Sequence, residues 1–318
     1  YIYDIILRGI IMKRIIFSIY IDIPEKELDW QPPFKGETES KNDKSKREFA
    51  LYKNWLAERQ RSYAEALEIE YKLYEYDDQW KAFDSEYKQK YPFLTTYNII
   101  NFYKIHLMYI LKEEFDEILY LDLDVLPITK ENFFDAWNLT AGIVIRAERP
   151  YAIGVQDELD NPDTIRRLEA DRLDGIKYAS VRSPTAKYWN SRAMMQELTF
   201  QAPKEICVFN TGIVGITKTQ LEELNYFDKF DEYLDIMTEL REDEFSLWPK
   251  YIQEIFGWDN ETLFAVKCYE NNVKINKINR KWHWFMDNFN FVPEKTAFIH
   301  IINKEFKWAK VWYEKNCL

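Results

Sequence analysis

The sequence contains few cysteines, glycines and histidines, with 3 Cys, 8 Gly and 3 His in 318 residues. Cys207, Cys268 and Cys317 are far apart and form no CxxC pair, which excludes a disulfide framework and a zinc knuckle and fits a reducing compartment. Basic residues are also in deficit, because 43 Lys and Arg face 54 Asp and Glu and leave a net charge of −11. A nucleic-acid partner needs a basic surface, so we expect none.

Long hydrophobic runs are missing as well. Residues 1–23 are largely apolar, but charged residues interrupt them, and no run approaches the ~20 residues that span a bilayer. The segment also lacks the small-residue cleavage site of a signal peptide. We therefore expect a soluble, cytoplasmic protein without a membrane span. The first strand should follow Met12, and residues 1–11 are expected to be an extension.

Strand-like and helix-like segments alternate along the chain. Strands are predicted where β-branched and aromatic residues cluster, and helices where apolar residues recur at helical spacing. This alternation predicts an α/β fold with a mostly parallel central sheet flanked by helices, in one domain spanning 1–318. A polar loop at 24–46 and an irregular insertion at 150–204 are expected to interrupt it. The predicted strands are 14–22, 68–78, 117–127 and segments beginning at 140 and 206, and the predicted helices include 47–67 and 97–115.

The sequence YLDLDV at 120–125 suggests a metal site. Asp122 and Asp124 follow a run of Ile, Leu and Tyr, where carboxylates are costly to bury without a cation. Two positions apart on an extended strand, both side chains project to the same face. Two hard oxygen ligands suit Mg²⁺ or Mn²⁺ and leave coordination positions for phosphate oxygens and water. The alternative is that these acids cap the following turn, and the pattern alone leaves both readings open.

A known family shares this pattern. The segment HLMYILKEEFDEILYLDLDVLPITKENFFDAWNL at 106–139 resembles the core of the GT-A glycosyltransferases, which have a Rossmann-like fold and a metal-binding DxD after a hydrophobic strand. It is most similar to the retaining family that includes glycogenin and bacterial lipopolysaccharide galactosyltransferases. Three further segments match that family in order, VFNTGIVGIT, DNETLF and HIINKEFKW. The resemblance covers roughly residues 95–140 and 205–310.

The resemblance implies places for six residues in the middle segments. It places Asn210, Thr211 and Gly212 beside the donor sugar. It places Asp259, Asn260 and Glu261 near the reacting carbon. A double displacement needs a carboxylate nucleophile, for which Asp259 and Glu261 are the candidates. The amide of Asn260 is a poor nucleophile, so front-face attack within an ion pair is equally compatible with retention.

The last segment supplies a histidine and two lysines. By the resemblance His300 is the third metal ligand, and neutral imidazole is a good ligand for Mn²⁺-like metals. The family pattern places a lysine on the donor diphosphate. Here Asn303 replaces its glycine and its proline is absent, so Lys304 and Lys307 compete for that role.

The helix before the DxD contains two further residues of interest. Lys104 occupies a position where the family keeps a basic residue near the metal and sugar. It either binds there with a carboxylate partner or snorkels to the surface. His106 is expected to be a packed core residue, and His283, in KWHWF, carries no interpretable signal.

The substrates are less defined than the metal. The resemblance implies a UDP-sugar donor, and Ser18, Tyr20 and Asp22 at the end of the first strand are the expected neighbours of its nucleoside. The acceptor, whether a glycan, a lipid-linked molecule or a protein, is not specified by the sequence. Because acceptor specificity usually lies in variable loops, the 150–204 insertion is the expected acceptor region, with the aromatic residues Tyr151, Tyr178, Tyr188 and Trp189.

The function expected is therefore a metal-dependent glycosyltransferase using Mn²⁺ or Mg²⁺. A sugar nucleotidyltransferase would carry a glycine-rich loop after the first strand, and IIFSIYIDIPEK contains no glycine. A binding protein that has kept the fold and lost activity remains an alternative. Metal-dependent phosphoester hydrolysis usually needs more carboxylates and histidines near the metal than this chain supplies.

Overall fold

The computed structural model describes residues 12–28, 33, 37–148, 183–201, 203, 205–244, 253, 256–286 and 290–317, with side chains in the 183–199 helix from 187 onward. Within these residues the strands are β1 (Arg14–Ile19), β2 (Glu70–Tyr74), β3 (Glu117–Leu121), β4 (Val125–Pro127), β5 (Ile143–Glu148), β6 (Val208–Thr217), β7 (Ile275–Lys277), β8 (Trp284–Phe285) and β9 (Phe298–His300). The α-helices are α1 (Lys41–Ala66), α2 (Asp78–Lys90), α3 (Thr96–Leu111), α4 (Phe133–Ala136), α5 (Ser183–Thr199), α6 (Lys218–Leu224), α7 (Phe230–Glu242), α8 (Asn260–Glu270) and α9 (Phe306–Asn316).

Six of these strands form one sheet in the order β2-β1-β3-β6-β5-β7. β1 pairs in parallel with both β2 and β3, and β5 pairs in parallel with β7. β6 is antiparallel to its neighbours β3 and β5, so it alone of the six runs against the others. The α/β fold with a mostly parallel sheet is therefore confirmed.

Helices cover both faces of this sheet, which explains why the four residues of β3 that follow Glu117 are all apolar. All five residues of β3 are buried. Ile118 and Tyr120 pack into one apolar cluster, whereas Leu119 and Leu121 pack into another. A strand with both faces covered must be hydrophobic throughout instead of alternating. Among the described residues, no helix is both long and apolar enough to cross a bilayer.

The predicted strand at 117–127 is in fact two strands in different sheets. β3 belongs to the large sheet, and β4 pairs antiparallel with β9 in a smaller sheet of order β4-β9-β8. A turn separates them, closed by a hydrogen bond of 2.9 Å from Val125 N to Asp122 O. The expectation that Asp122 and Asp124 share one face of an extended strand is therefore wrong.

The predicted polar loop at 24–46 ends early, because α1 begins at Lys41. Its charged run is also not uniformly solvated. Lys44 is buried, and its ammonium contacts Glu37 over 2.8 Å and Glu305 over 2.6 Å. These ion pairs allow a lysine of the first helical turns to pack against the segment that precedes α9.

The 150–204 stretch is not irregular throughout, because α5 occupies 183–199. Tyr188 and Trp189 lie on this helix and are 1% and 0% exposed, so they offer no surface to an acceptor. That part of the acceptor prediction is wrong. Tyr151 and Tyr178 lie outside the described residues, as do residues 1–11.

Candidate active site

Two carboxylates and one imidazole converge at the junction of the two sheets. Asp122 and Asp124 lie in the turn between β3 and β4, and His300 is the last residue of β9. The pairing of Val125 with His300 brings the two segments together. His300 Nε2 lies 3.4 Å from Asp124 Oδ1 and 3.7 Å from Asp122 Oδ2, and one ligand atom of each residue falls within 4.8 Å of the others.

These three residues fit a divalent metal. Ligands that each lie about 2.1 Å from one ion are separated by roughly 3–4 Å, as the imidazole and carboxylate atoms are here. Asp124 and His300 are 3% and 4% exposed, so water shields little of the charge of the Asp124 carboxylate. Burial alone would raise the pKa of Asp124, yet Lys304 and His300 hold it well below its usual range. Asp124 is therefore an anion ready to bind a cation.

Gly212 makes this convergence sterically possible. Its carbonyl accepts a hydrogen bond of 2.7 Å from Asp122 N, which holds β6 against the acidic turn. A Cβ at Gly212 would lie 2.4 Å from His300 Cε1 and 2.9 Å from Asp122 Oδ2. Such distances are shorter than van der Waals contact, so no side chain fits at this position. The site therefore requires a glycine at position 212.

Gln60, a residue that the sequence did not single out, holds the turn from behind. It is fully buried on α1, and its amide donates to Asp122 O over 2.9 Å and to Val125 O over 2.7 Å. Its carbonyl oxygen accepts from Ser18 over 2.5 Å and from Tyr71 over 3.0 Å. Gln60 lies on the apolar face of a predicted helix. A polar amide on that face is the sequence feature that could have identified it.

Lysine side chains surround the acids. Lys304 contacts Asp124, and Lys104 Nζ lies 3.9 Å from Asp122 Oδ1. Lys104 is 4% exposed, so it is buried with a carboxylate partner and does not snorkel. Lys307 is exposed on α9, which leaves Lys304 as the lysine that reaches the acidic turn. Lys187 on α5, from a stretch with no recognised motif, contacts Glu261.

Glu261 forms the centre of a buried network. Its Oε1 accepts from Thr211 N over 2.6 Å and from Thr211 Oγ1 over 3.0 Å, and its Oε2 accepts from Lys187. Burial would raise its pKa, but Lys187 and then Lys104 lower it. Thr211 is fully buried beneath Glu261 and faces no open space.

The two residues before Glu261 are also engaged. The carboxylate of Asp259 caps α8, accepting from Glu261 N over 3.4 Å and from Thr262 N over 3.2 Å. Asn260 is buried and donates to Thr211 Oγ1 over 3.3 Å. Asn260 and Glu261 thus contact Thr211 of β6, and each of the three acid and amide side chains has a protein partner.

The remaining predicted residues lie at the edge of the site or behind it. Asn210 is partly exposed on β6 and accepts from Gly212 N over 3.1 Å. Ser18 is fully buried against Gln60, so the expectation that it contacts a nucleoside is wrong. Tyr20 is half-buried against Phe49, with ring centroids 5.5 Å apart, and Asp22 is exposed. These last two remain predictions for the nucleoside.

The other two histidines have different surroundings. His106, expected in the core, is partly buried and packs against Phe83, with ring centroids 4.8 Å apart. His283 is 1% exposed, and its Nε2 lies 3.0 Å from His300 Nδ1. This contact was not predicted, because the segment KWHWF has no spacing relation to the metal motifs.

No protein-family model and no curated protein sequence matches this chain. Among solved structures, it is similar to a glycosyltransferase involved in glycosylation of the major capsid of PBCV-1, at 12% identity, TM-score 0.40, covering 94% of this chain and 99% of that one. It is also similar to the galactosyltransferase LgtC in complex with donor and acceptor sugar analogs, at 11% identity and TM-score 0.40, covering 90% and 86%. A third is mouse xyloside xylosyltransferase 1, at 12% identity and TM-score 0.38, covering 91% and 97%. All three of these structures are glycosyltransferases.

Proposed function

We propose that this protein is a metal-dependent glycosyltransferase that takes its sugar from a nucleotide-diphosphate sugar. The observation that carries the proposal is the convergence of Asp122, Asp124 and His300. Lys104 and Lys304 lie next to the two carboxylates. Carboxylate oxygens and one imidazole suit Mn²⁺ or Mg²⁺. Acids alone would bind a cation, and lysines alone would bind an anion. Both together suit a metal–diphosphate complex.

The proposed roles follow from where charge develops in the reaction. Breaking the sugar–phosphate bond leaves a diphosphate with new negative charge, which a bound metal stabilises as a Lewis acid. Lys304 and Lys104 are proposed to add positive charge at the same oxygens, fixed in place before the reaction. Asn210 is the partly exposed amide of β6, and we propose that it orients the donor sugar.

The stereochemical course proposed is retention by attack on the face that the diphosphate leaves. Two observations support it. Glu261 is bound to Thr211 and Lys187, and Asp259 caps α8, so neither carboxylate is free to act as a nucleophile. A hydrogen-bonded, ion-paired carboxylate is a weaker nucleophile than a free one, which favours the front-face alternative. The uridine base rests on the sequence resemblance.

A donor screen tests the proposal. Calorimetry with a panel of nucleotide-diphosphate sugars, with and without Mn²⁺, should give binding that needs the metal. Asp124→Asn should abolish that dependence, because it removes one ligand charge at nearly constant volume. Asp135→Asn, on an exposed acid of α4, is the matched control. Donor binding that is unaffected by metal and by Asp124→Asn would contradict the proposal.

The alternative of a binding protein without activity predicts the same calorimetry. The two differ in turnover, because a transferase without its acceptor slowly transfers the sugar to water and releases the nucleoside diphosphate. Metal-dependent release of UDP from UDP-sugar, lost in Asp124→Asn, would support catalysis. Tight metal-dependent binding without any release, across the donors and added glycans, would support the binding protein.

A further inference from the structure

His283 and His300 form a stacked, hydrogen-bonded pair beside the acidic turn. Their ring centroids are 5.2 Å apart, their planes differ by 21°, and His283 Nε2 lies 3.0 Å from His300 Nδ1. The opposite nitrogen of His300, Nε2, faces Asp122 and Asp124. The contact therefore involves the one nitrogen of His300 that the carboxylates leave free.

The backbone holds His283 in this position. Its carbonyl accepts from Arg146 over 3.0 Å, and its N–H donates to Asn279 O over 3.2 Å. Its ring also packs edge-on against Phe285, with centroids 4.8 Å apart. Phe285 lies in β8, which pairs with β9 directly at His300. His283 immediately precedes β8, and His300 ends the adjacent strand β9, so the small sheet holds the two rings together.

The hydrogen bond determines what His300 can do with its Nε2. A neutral imidazole has one protonated and one unprotonated nitrogen, and only the unprotonated one binds a metal. For Nε2 to be a ligand, the proton must be on Nδ1, where it needs an acceptor in this dry surrounding. Among the described residues, the partner of His300 Nδ1 is His283. A neutral His283 that carries its own proton on Nδ1 offers Nε2 as that acceptor, and this arrangement leaves His300 Nε2 unprotonated.

We propose that His283 is a positioning residue that orients the His300 ring and stabilises the tautomer with Nε2 free for the metal. The proposal rests on the proposed metal role of His300. His283 touches neither metal nor substrate in this scheme. The ring nitrogens of metal-binding histidines that do not face the ion usually donate to a carboxylate or a carbonyl, and here a second imidazole takes that part.

A pair of substitutions separates the hydrogen bond from the packing. His283→Phe keeps a ring of similar size between Phe285 and His300 but removes the nitrogen. His283→Gln places an amide where Nε2 lies, and an amide can accept or donate. We expect Mn²⁺ affinity, measured by electron paramagnetic resonance on the protein without donor, to fall about 10- to 100-fold in His283→Phe. It should remain within about threefold of wild type in His283→Gln.

His106 supplies the matched control, because it is packed among aromatic rings on α3. His106→Phe should leave Mn²⁺ affinity unchanged. Equal Mn²⁺ affinity in folded His283→Phe and wild type overturns the positioning role while leaving the proposed function intact. If wild type itself binds no Mn²⁺, the metal role of His300 falls, and the positioning role with it.

A second measurement needs no variant and decides the matter if His283→Phe does not fold. Two-bond proton–nitrogen spectra of the wild-type histidines, recorded with saturating Mg²⁺, distinguish the two imidazole tautomers. We expect His300 to carry its proton on Nδ1, shifted by the hydrogen bond to His283. A His300 with its proton on Nε2 in the Mg²⁺-saturated protein would overturn the proposal.

Discussion

The side-chain amide of Gln60 donates a hydrogen bond of 2.9 Å to the backbone carbonyl of Asp122, from a helix 62 positions earlier in the chain. The same amide also donates to Val125 O, at the far end of the turn that carries both acids. One buried side chain on α1 therefore fixes both ends of the acidic turn. The geometry of Asp122 and Asp124 depends on a residue that is not itself in the site.

Replacing Gln60 should both destabilise the protein and weaken metal binding. Gln60→Leu removes the side-chain donor to Asp122 O and Val125 O and the acceptor of the Ser18 and Tyr71 hydroxyls, although Asp122 O keeps its hydrogen bond from Val125 N. Each unsatisfied buried group costs about 1–3 kcal/mol, so we expect a loss of about 2–4 kcal/mol after partial relaxation. Urea denaturation measures it. Gln79→Leu, on an exposed part of α2, should change stability little.

A side chain at Gly212 should disrupt the metal site directly. The methyl group of Gly212→Ala would overlap His300 Cε1, so the imidazole or the acidic turn must move. We expect Mn²⁺ affinity to fall by at least about tenfold, since displaced ligands no longer meet one ion. Gly257→Ala is the matched control, because a Cβ there has no neighbour within 4 Å. Equal losses in both variants would point to a general effect of alanine instead.

Lys304 and Lys307 offer a direct comparison within one short segment. Lys304 contacts Asp124, whereas Lys307 is exposed on α9. We expect Lys304→Met to weaken UDP binding in the presence of Mn²⁺ by about tenfold or more, because a buried charge-assisted contact to phosphate is worth roughly 1.5–3 kcal/mol. Lys307→Met should bind UDP as wild type does. Calorimetry that gives the reverse order would move the diphosphate contact to Lys307.

The Lys187–Glu261 pair should show a pH-dependent contribution to stability. The pKa of Glu261 is lowered in the folded protein, so its ion pair stabilises above the unfolded pKa and the benefit is lost as pH falls through the acid range. Lys187→Met leaves a buried carboxylate without its cation, which costs about 3–5 kcal/mol near pH 7. Near pH 4 the loss should be smaller, because Glu261 in the variant is then protonated.

Denaturation at both pH values measures this difference. Lys81→Met removes one side of an exposed pair with Asp78 on α2 and should have little effect at either pH. A loss from Lys187→Met that does not change with pH would show that packing of the lysine stem, and not its charge, matters at this position.

The sequence predicted those features that depend on residues close together along the chain. The apolar run before Asp122 indicated a buried strand, and the strand and helix alternation indicated the mostly parallel sheet. The family resemblance named His300 and Gly212 for the site, and the structure places both next to the acids. Prediction from the sequence failed where a local pattern has two outcomes, because 117–127 reads equally as one strand or as two strands joined by a turn. The pairing of β4 with β9 decides between them.

The acidic pair itself was determined by the sequence, since only the placement of two carboxylates after a buried strand was needed to suggest a cation. Its supports were decided by tertiary structure alone. Three of these supports are Gln60 on α1, Lys187 on α5 and His283 just before β8. No spacing along the chain relates them to Asp122. A ligand type can be read from a residue, but its orientation depends on hydrogen bonds between segments that only folding brings together.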